Sequence, residues 1–261
     1  MADKKALYTT QLQAGLGLIE ETKLLLSIYT PEMTVPQLHE KALESGFFPM
    51  VSARRLRNII AECFSPRYLK TDSAKYLKQL STCISSTVFN QFLLIYTSQA
   101  NSILLDFIKD IYWSRYSSGR DTISTEDARD FVINAVREGK TQNIWSETTI
   151  RRVASYLIGC CADYGLLSSR RSSVRQIQTV RLDEKTFLFF SYWMHFGGIG
   201  DNSIINHEIW KIFGLDPSDV REEFKRISKK NWLILQSAGD VTRISWTFKS
   251  IEEVINVIVE S

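Results

Sequence analysis

Three arginines within four residues, Arg54, Arg55 and Arg57, followed by Asn58, are the side chains best suited to chemistry with another molecule. A guanidinium offers planar, forked N–H donors that fit phosphate oxygens and guanine edges, and an amide fits adenine. The apolar residues among them set the local structure. Leu56, Ile59, Ile60, Cys63 and Phe64 recur at i, i+3, i+4, i+7 and i+8, one stripe of a helix that Ser52 can cap. At about 100° per residue, Arg54 and Asn58 point away from that stripe and Arg55 and Arg57 flank it. Such a helix packs by one face and offers donors on the other. An ordinary amphipathic helix with a solvated basic face has the same pattern, so the helix alone does not decide.

Other basic residues follow in clusters. From Arg54 to Lys78, counting Arg67 and Lys70, there are seven basic and two acidic residues. Arg151, Arg152, Arg170, Arg171 and Arg175 form a second group, and Lys225 and Lys229 a third. Together these predict contact with double-stranded DNA, mainly through the phosphates. If about six cations engage, log affinity falls with log salt at a slope near −5. Catalytic and cofactor patterns are lacking. His39, His195 and His207 have no ligand spacing, and there is no HExxH, GxSxG, Walker A, kinase or EF-hand signature. Gly15 and Gly17 follow no strand and are not a phosphate loop. The chain reads as non-catalytic, with no cofactor or metal expected.

Composition bounds the rest. At 261 residues and 44% apolar, the chain can bury a core without disulfides. A net charge of +3 marks no nucleic-acid binder by itself, so local clustering must carry that reading. The four cysteines form no CxxC pair and read as reduced thiols in a cytoplasmic protein. MADKKALYTT has no apolar signal segment. Gln79–Leu105 is uncharged, but its many Ser, Thr, Gln and Asn residues fit two buried helices better than a membrane span.

The elements that must position the arginines are mainly α. Thr34 and Gln37 open a helix with a capping box, and Gly46 ends it. The link Ser45–Val51 is longer than a strict helix-turn-helix turn. Pro66 is expected to end the arginine helix. Core helices follow at 86–97 and 102–116, then helices opened by Ser124 and Ser146. Leu166–Leu182 is basic and reads either as a strand or hairpin, the wing of a winged helix, or as a mobile loop. Beyond buried Phe187–Phe196, a helix from Ser203, one opened by Asp216-Pro217, a hairpin about 237–240 and a closing helix from Ile251 make a winged-helix order. The expected division is 1–118, 119–185 and 186–261.

The run Tyr8–Lys23, YTTQLQAGLGLIEETK, followed by Ser52-Ala-Arg-Arg-Leu-Arg57, resembles the BrxA family of bacteriophage-exclusion (BREX) antiviral defence systems. The resemblance spans roughly Tyr8 to Leu182. It implies a small, mostly helical, non-catalytic protein with helix-turn-helix-like elements that binds DNA beside other BREX subunits. Arg54 and Arg55 carry that role over best. A protein–protein adaptor, or an RNA binder like the antitermination protein NusB, is the alternative.

Overall fold

A computed structural model describes residues 7–169, 172–238 and 241–260. They are mainly helical, with two small antiparallel two-stranded sheets. The chain divides into two compact units. The first gathers the described residues up to 81 with 93–180, and the second gathers 82–92 with those from 181 onward. The turn at Ser117–Gly119, where the sequence reading divides 1–118 from 119–185, lies inside the first unit.

In the first unit, α1 (Ile19–Ile28) starts two residues beyond Gly17, because Leu18 takes a left-handed conformation (φ 51°) at its N-cap. Helix α2 (Val35–Glu44) carries the Thr34–Gln37 capping box, with Thr34 N–H donating to Gln37 Oε1 at 2.9 Å. Helix α3 (Ala53–Asn58) opens on Ser52, whose hydroxyl accepts from Arg55 N–H at 3.2 Å. Its far end corrects the sequence reading. The helix does not stop at Pro66 but continues as a π-helix, Ile59–Leu69. Lys70 N–H donates to Ser65 O at 3.0 Å, a five-residue step. Proline breaks an α-helix because its ring meets the carbonyl four residues back; the wider π turn gives that ring room.

Helices α4 (Ala74–Leu80), α5 (Ser86–Ala100) and α6 (Ser102–Phe107) share out the uncharged run. A π turn (Ile108–Tyr112) joins α6 to α7 (Trp113–Ser117). No helix among the described residues is long and apolar enough to cross a membrane. Strand β1 (Thr122–Ser124) leads into α8 (Thr125–Arg137), opened by a Ser124–Asp127 capping box, and α8 packs on α9 (Glu147–Asp163). Strand β2 (Val174–Gln176) and the residues after it fold back on 166–168: Leu167 and Ile177 form an antiparallel bridge, Ser168 N–H donates to Gln176 O at 2.9 Å and Gln178 N–H to Leu166 O at 2.8 Å. The strand also pairs with β1, Ile123 opposite Arg175, and Ile177 N–H donates to Asp121 O at 2.7 Å.

The second unit is built on α10 (Glu184–Phe196), whose Phe187, Leu188, Phe189, Phe190 and Tyr192 are fully buried. The single helix expected from Ser203 is broken into α11 (Asp201–Ile205) and a 3-10 helix, Glu208–Phe213. The break lies at His207, extended at ψ 136°, where Nδ1 accepts from Ile209 N–H at 3.2 Å. Gly214 is left-handed (φ 70°), and a three-residue link, Gly214–Asp216, leads to α12 (Pro217–Ser228). Strands β3 (Leu233–Ala238) and β4 (Val241–Trp246) pair antiparallel; Gly239 and Asp240, between them, lie outside the described residues. Asp201 ties β4 down, accepting from Ile244 N–H at 2.7 Å and Trp246 Nε1 at 3.1 Å. Helix α13 (Ile251–Glu260) packs on α10.

Candidate nucleic-acid interface

The stripe that sequence periodicity assigns to the arginine helix is buried throughout: Leu56, Ile59, Ile60, Cys63 and Phe64 are each at most 3% exposed. Each fully buried Leu, Ile or Phe contributes roughly 1.5–3 kcal/mol, which fixes the helix's rotation. The opposite face is then settled. Ser52, Arg54, Arg55, Arg57 and Asn58 are exposed, and so is Lys70 at the end of the π segment. Among the described residues, Arg54, Arg55, Arg57 and Lys70 have no ion-pair partner. No carboxylate occurs between Ser45 and Ala61. Three guanidinium groups therefore stand together on one short stretch of helix with their donors turned to solvent.

Arg67 departs from this set and from the expectation placed on it. It is 2% exposed, so it offers nothing to a ligand. Its Nη2 donates to Leu16 O at 3.0 Å and Gly15 O at 3.4 Å, and its Nη1 to Gly17 O at 3.3 Å. No carboxylate among the described residues pairs with it. The buried charge is compensated by successive backbone carbonyls, each charge-assisted bond contributing about 1.5–3 kcal/mol. The same loop is held from α9. Asp163 Oδ2 accepts from Gly17 N–H at 2.9 Å, and Tyr164 Oη donates to Gly17 O at 3.1 Å while paired with Thr97 at 2.8 Å. Burial pushes the Asp163 carboxyl up from the usual carboxylate range, with the Gly17 N–H pulling the other way. A Cβ on Gly17 would lie 2.7 Å from the Asp163 Cβ, so only glycine lets the loop pass.

Tyr8 is anchored in the same unit. Its hydroxyl donates to Asp106 Oδ2 at 2.6 Å and its N–H to Lys140 O at 2.7 Å, and burial pushes the phenol well above its ordinary range. Tyr8, Gly15 and Gly17 are thus packing residues that hold the loop preceding α1. Arg67 clamps that loop from the continuation of α3. Sequence reasoning missed Arg67, Asp163, Tyr164 and Asp106 in this role. One signal for Arg67 was present: position 67 continues the apolar stripe from Leu56 at i+11, and Tyr68 at i+12 is buried beside it.

The other clusters differ. Arg151 is exposed but pairs with Glu147 at 2.9 Å, and Glu147 also takes Arg129 at 2.9 Å. Their guanidinium donors, Arg151 first, hold the Glu147 carboxyl below its usual range. Arg152 is exposed and has no ion pair among the described residues. Arg170 and Arg171 lie outside the described residues. Arg175 is half-buried on β2 and donates to Ser168 O at 3.3 Å, so it is held against backbone. In the second unit, Lys225 pairs with Glu222 at 2.7 Å and Arg226 with Glu223 at 2.5 Å; Lys229, at the helix end, is exposed.

No group of three or more His, Cys, Asp or Glu among the described residues could hold a metal. The four cysteines are unpaired; Cys63, Cys160 and Cys161 are buried and Cys83 is exposed. Burial pushes the Cys160 thiol up to about 12, which makes it a poor nucleophile.

The BrxA family model matches residues 6–191 of the chain. A crystal structure of an uncharacterized protein from Magnetospirillum magneticum shares the fold with a TM-score of 0.61 at 12% identity, covering 79% of this chain and 97% of that one. No curated protein matches.

Proposed function

Because the chain belongs to the BrxA family and is thereby a component of a BREX phage-defence system, we propose that it is a non-catalytic subunit that binds double-stranded DNA through the arginine face of α3. The observation that carries this reading is the exposed, unpaired set Arg54, Arg55 and Arg57 on a helix whose opposite face is buried. Guanidinium groups without internal partners neutralise phosphates and release their counterions. With Lys70, four cations give an expected slope of log affinity against log salt of about −3 to −4, shallower than six cations would give. Fluorescence anisotropy with a labelled duplex across a salt series tests it; no binding at low salt, or binding insensitive to salt, refutes it.

The second unit supports a different task. Its helix–link–helix–hairpin order supports a winged-helix reading, but α12 carries Arg221, Lys225 and Arg226 against Asp219, Glu222 and Glu223. A charge-balanced helix suits docking to protein, with other BREX subunits as its partners. Co-purification in the presence of nuclease tests this role: retention of those subunits by the isolated protein supports it, and their loss on nuclease treatment refutes it.

A further inference from the structure

An exposed apolar group of the first unit adjoins the arginines in the chain. Among the described residues, Leu43, Phe47 and Met50 are 47%, 47% and 94% exposed, all on the end of α2 and the link to α3. Exposed apolar side chains gathered on one short segment are candidates for an interaction surface. The link has a defined shape. Ser45 Oγ donates to Ala42 O at 2.8 Å and accepts from Phe47 N–H at 3.2 Å. Gly46 is left-handed (φ 68°). Phe48 is buried as an anchor, and Val51 N–H donates to Phe48 O at 3.1 Å, closing the turn that lifts Met50 into solvent. A His39 Nε2–Ala53 O contact of 3.1 Å ties α2 to the start of α3. From Leu43 to Asn58 the only carboxylate is Glu44, against three arginines.

We propose that Phe47 and Met50 form a wedge that enters a base step of duplex DNA while Arg54, Arg55 and Arg57 hold the flanking phosphates. This rests on the DNA-binding reading of α3. Apolar side chains on a fixed loop beside cations can unstack a step and kink the duplex by roughly 20–90°. The kink costs least at a pyrimidine–purine step such as TA, which gives selectivity without a hydrogen bond to any base. The unpaired arginines favour a polyanion over an apolar protein surface as the occupant.

The test uses the full chain and Phe47→Ser with Met50→Ser, whose exposed positions leave the fold intact, as a melting curve checks. The probe is a short duplex with one TA step, 2-aminopurine beside it and a fluorophore pair at the ends. The wild type raises 2-aminopurine fluorescence and end-to-end energy transfer on binding. The double variant binds within about tenfold with the same salt slope and changes neither signal. Binding by the wild type without either signal overturns the wedge and leaves the DNA reading standing. No binding at all overturns both. A double variant that still bends DNA but loses partner subunits in a nuclease-treated pull-down makes the loop a protein-docking surface and also overturns the wedge.

Discussion

The chain contains two helix–link–helix arrangements whose virtues are opposite. In the second unit the link is tight, Gly214–Asp216, and α12 carries three basic and three acidic residues, with two of the bases paired internally. In the first unit the link runs from Ser45 to Ser52, looser than a helix-turn-helix requires, yet α3 presents three arginines and no acid. Shape and charge have been separated between the two regions. Backbone geometry alone therefore does not select the ligand. On the proposed reading the ion pairs of each helix face do, because a cation already held by a neighbouring carboxylate releases few counterions when phosphate approaches.

The sharpest way to break this contrast is charge reversal on each side. Arg54→Glu with Arg55→Glu and Arg57→Glu should weaken DNA binding by about 100-fold or more at moderate salt. Lys225→Glu with Lys229→Glu should change it less than about threefold. Equal losses from both sets, measured by anisotropy, would erase the distinction between the regions.

Within the first unit the contrast is between arginines that face solvent and Arg67, which does not. Arg67→Met should cost about 2–4 kcal/mol of stability in chemical denaturation, since it strips the Gly15–Gly17 carbonyls of their donor. The affinity of the folded fraction for DNA should stay unchanged. Gly17→Ala, forced against Asp163, should cost about 1–3 kcal/mol by the same measurement, again without altering affinity.

The smallest effect separates the units by pH. Burial, opposed by Glu208, holds the His207 pKa below its usual value, and burial, opposed by Asp201, does the same for His195. Below the ordinary histidine range the unfolded chain then binds more protons than the folded one. Stability contributed by the neutral rings is present above that range and is lost as pH falls through the folded pKa values. The Tm should drop between neutral and mildly acidic pH. His207→Gln should flatten that drop, because protonation also removes the acceptor that caps Ile209 N–H. An unchanged pH profile in His207→Gln would mean that His207 is not a source of the loss.

Much of this fold was legible in the sequence because its signals are local. The capping boxes at Thr34–Gln37 and Ser124–Asp127 and the N-cap at Asp216 lie where side-chain chemistry puts them. The stripe from Leu56 to Phe64 is buried as its spacing requires. What was not legible depended on geometry or distance. Pro66 reads as a stop unless the wider π turn is known, and that misreading moved Arg67 from the buried face to the surface. The partner of Val174–Gln176 is Thr122–Ser124, and no alternation near Arg175 reveals it. His207 breaks a helix by accepting a hydrogen bond from the chain two residues on, which composition does not announce. Of the candidate site, Arg54, Arg55, Arg57 and Asn58 could be placed from periodicity; the pairing of Arg151 and Lys225 could not, because it depends on which rotamers meet.

The central claim is that the uncompensated arginines of α3 neutralise phosphate. Its most direct test is the salt dependence of duplex binding by the wild type beside Arg54→Ala/Arg55→Ala/Arg57→Ala. The account predicts that the triple variant's slope of log affinity against log salt is shallower by about 3. Two parallel lines, whatever their separation, would contradict it.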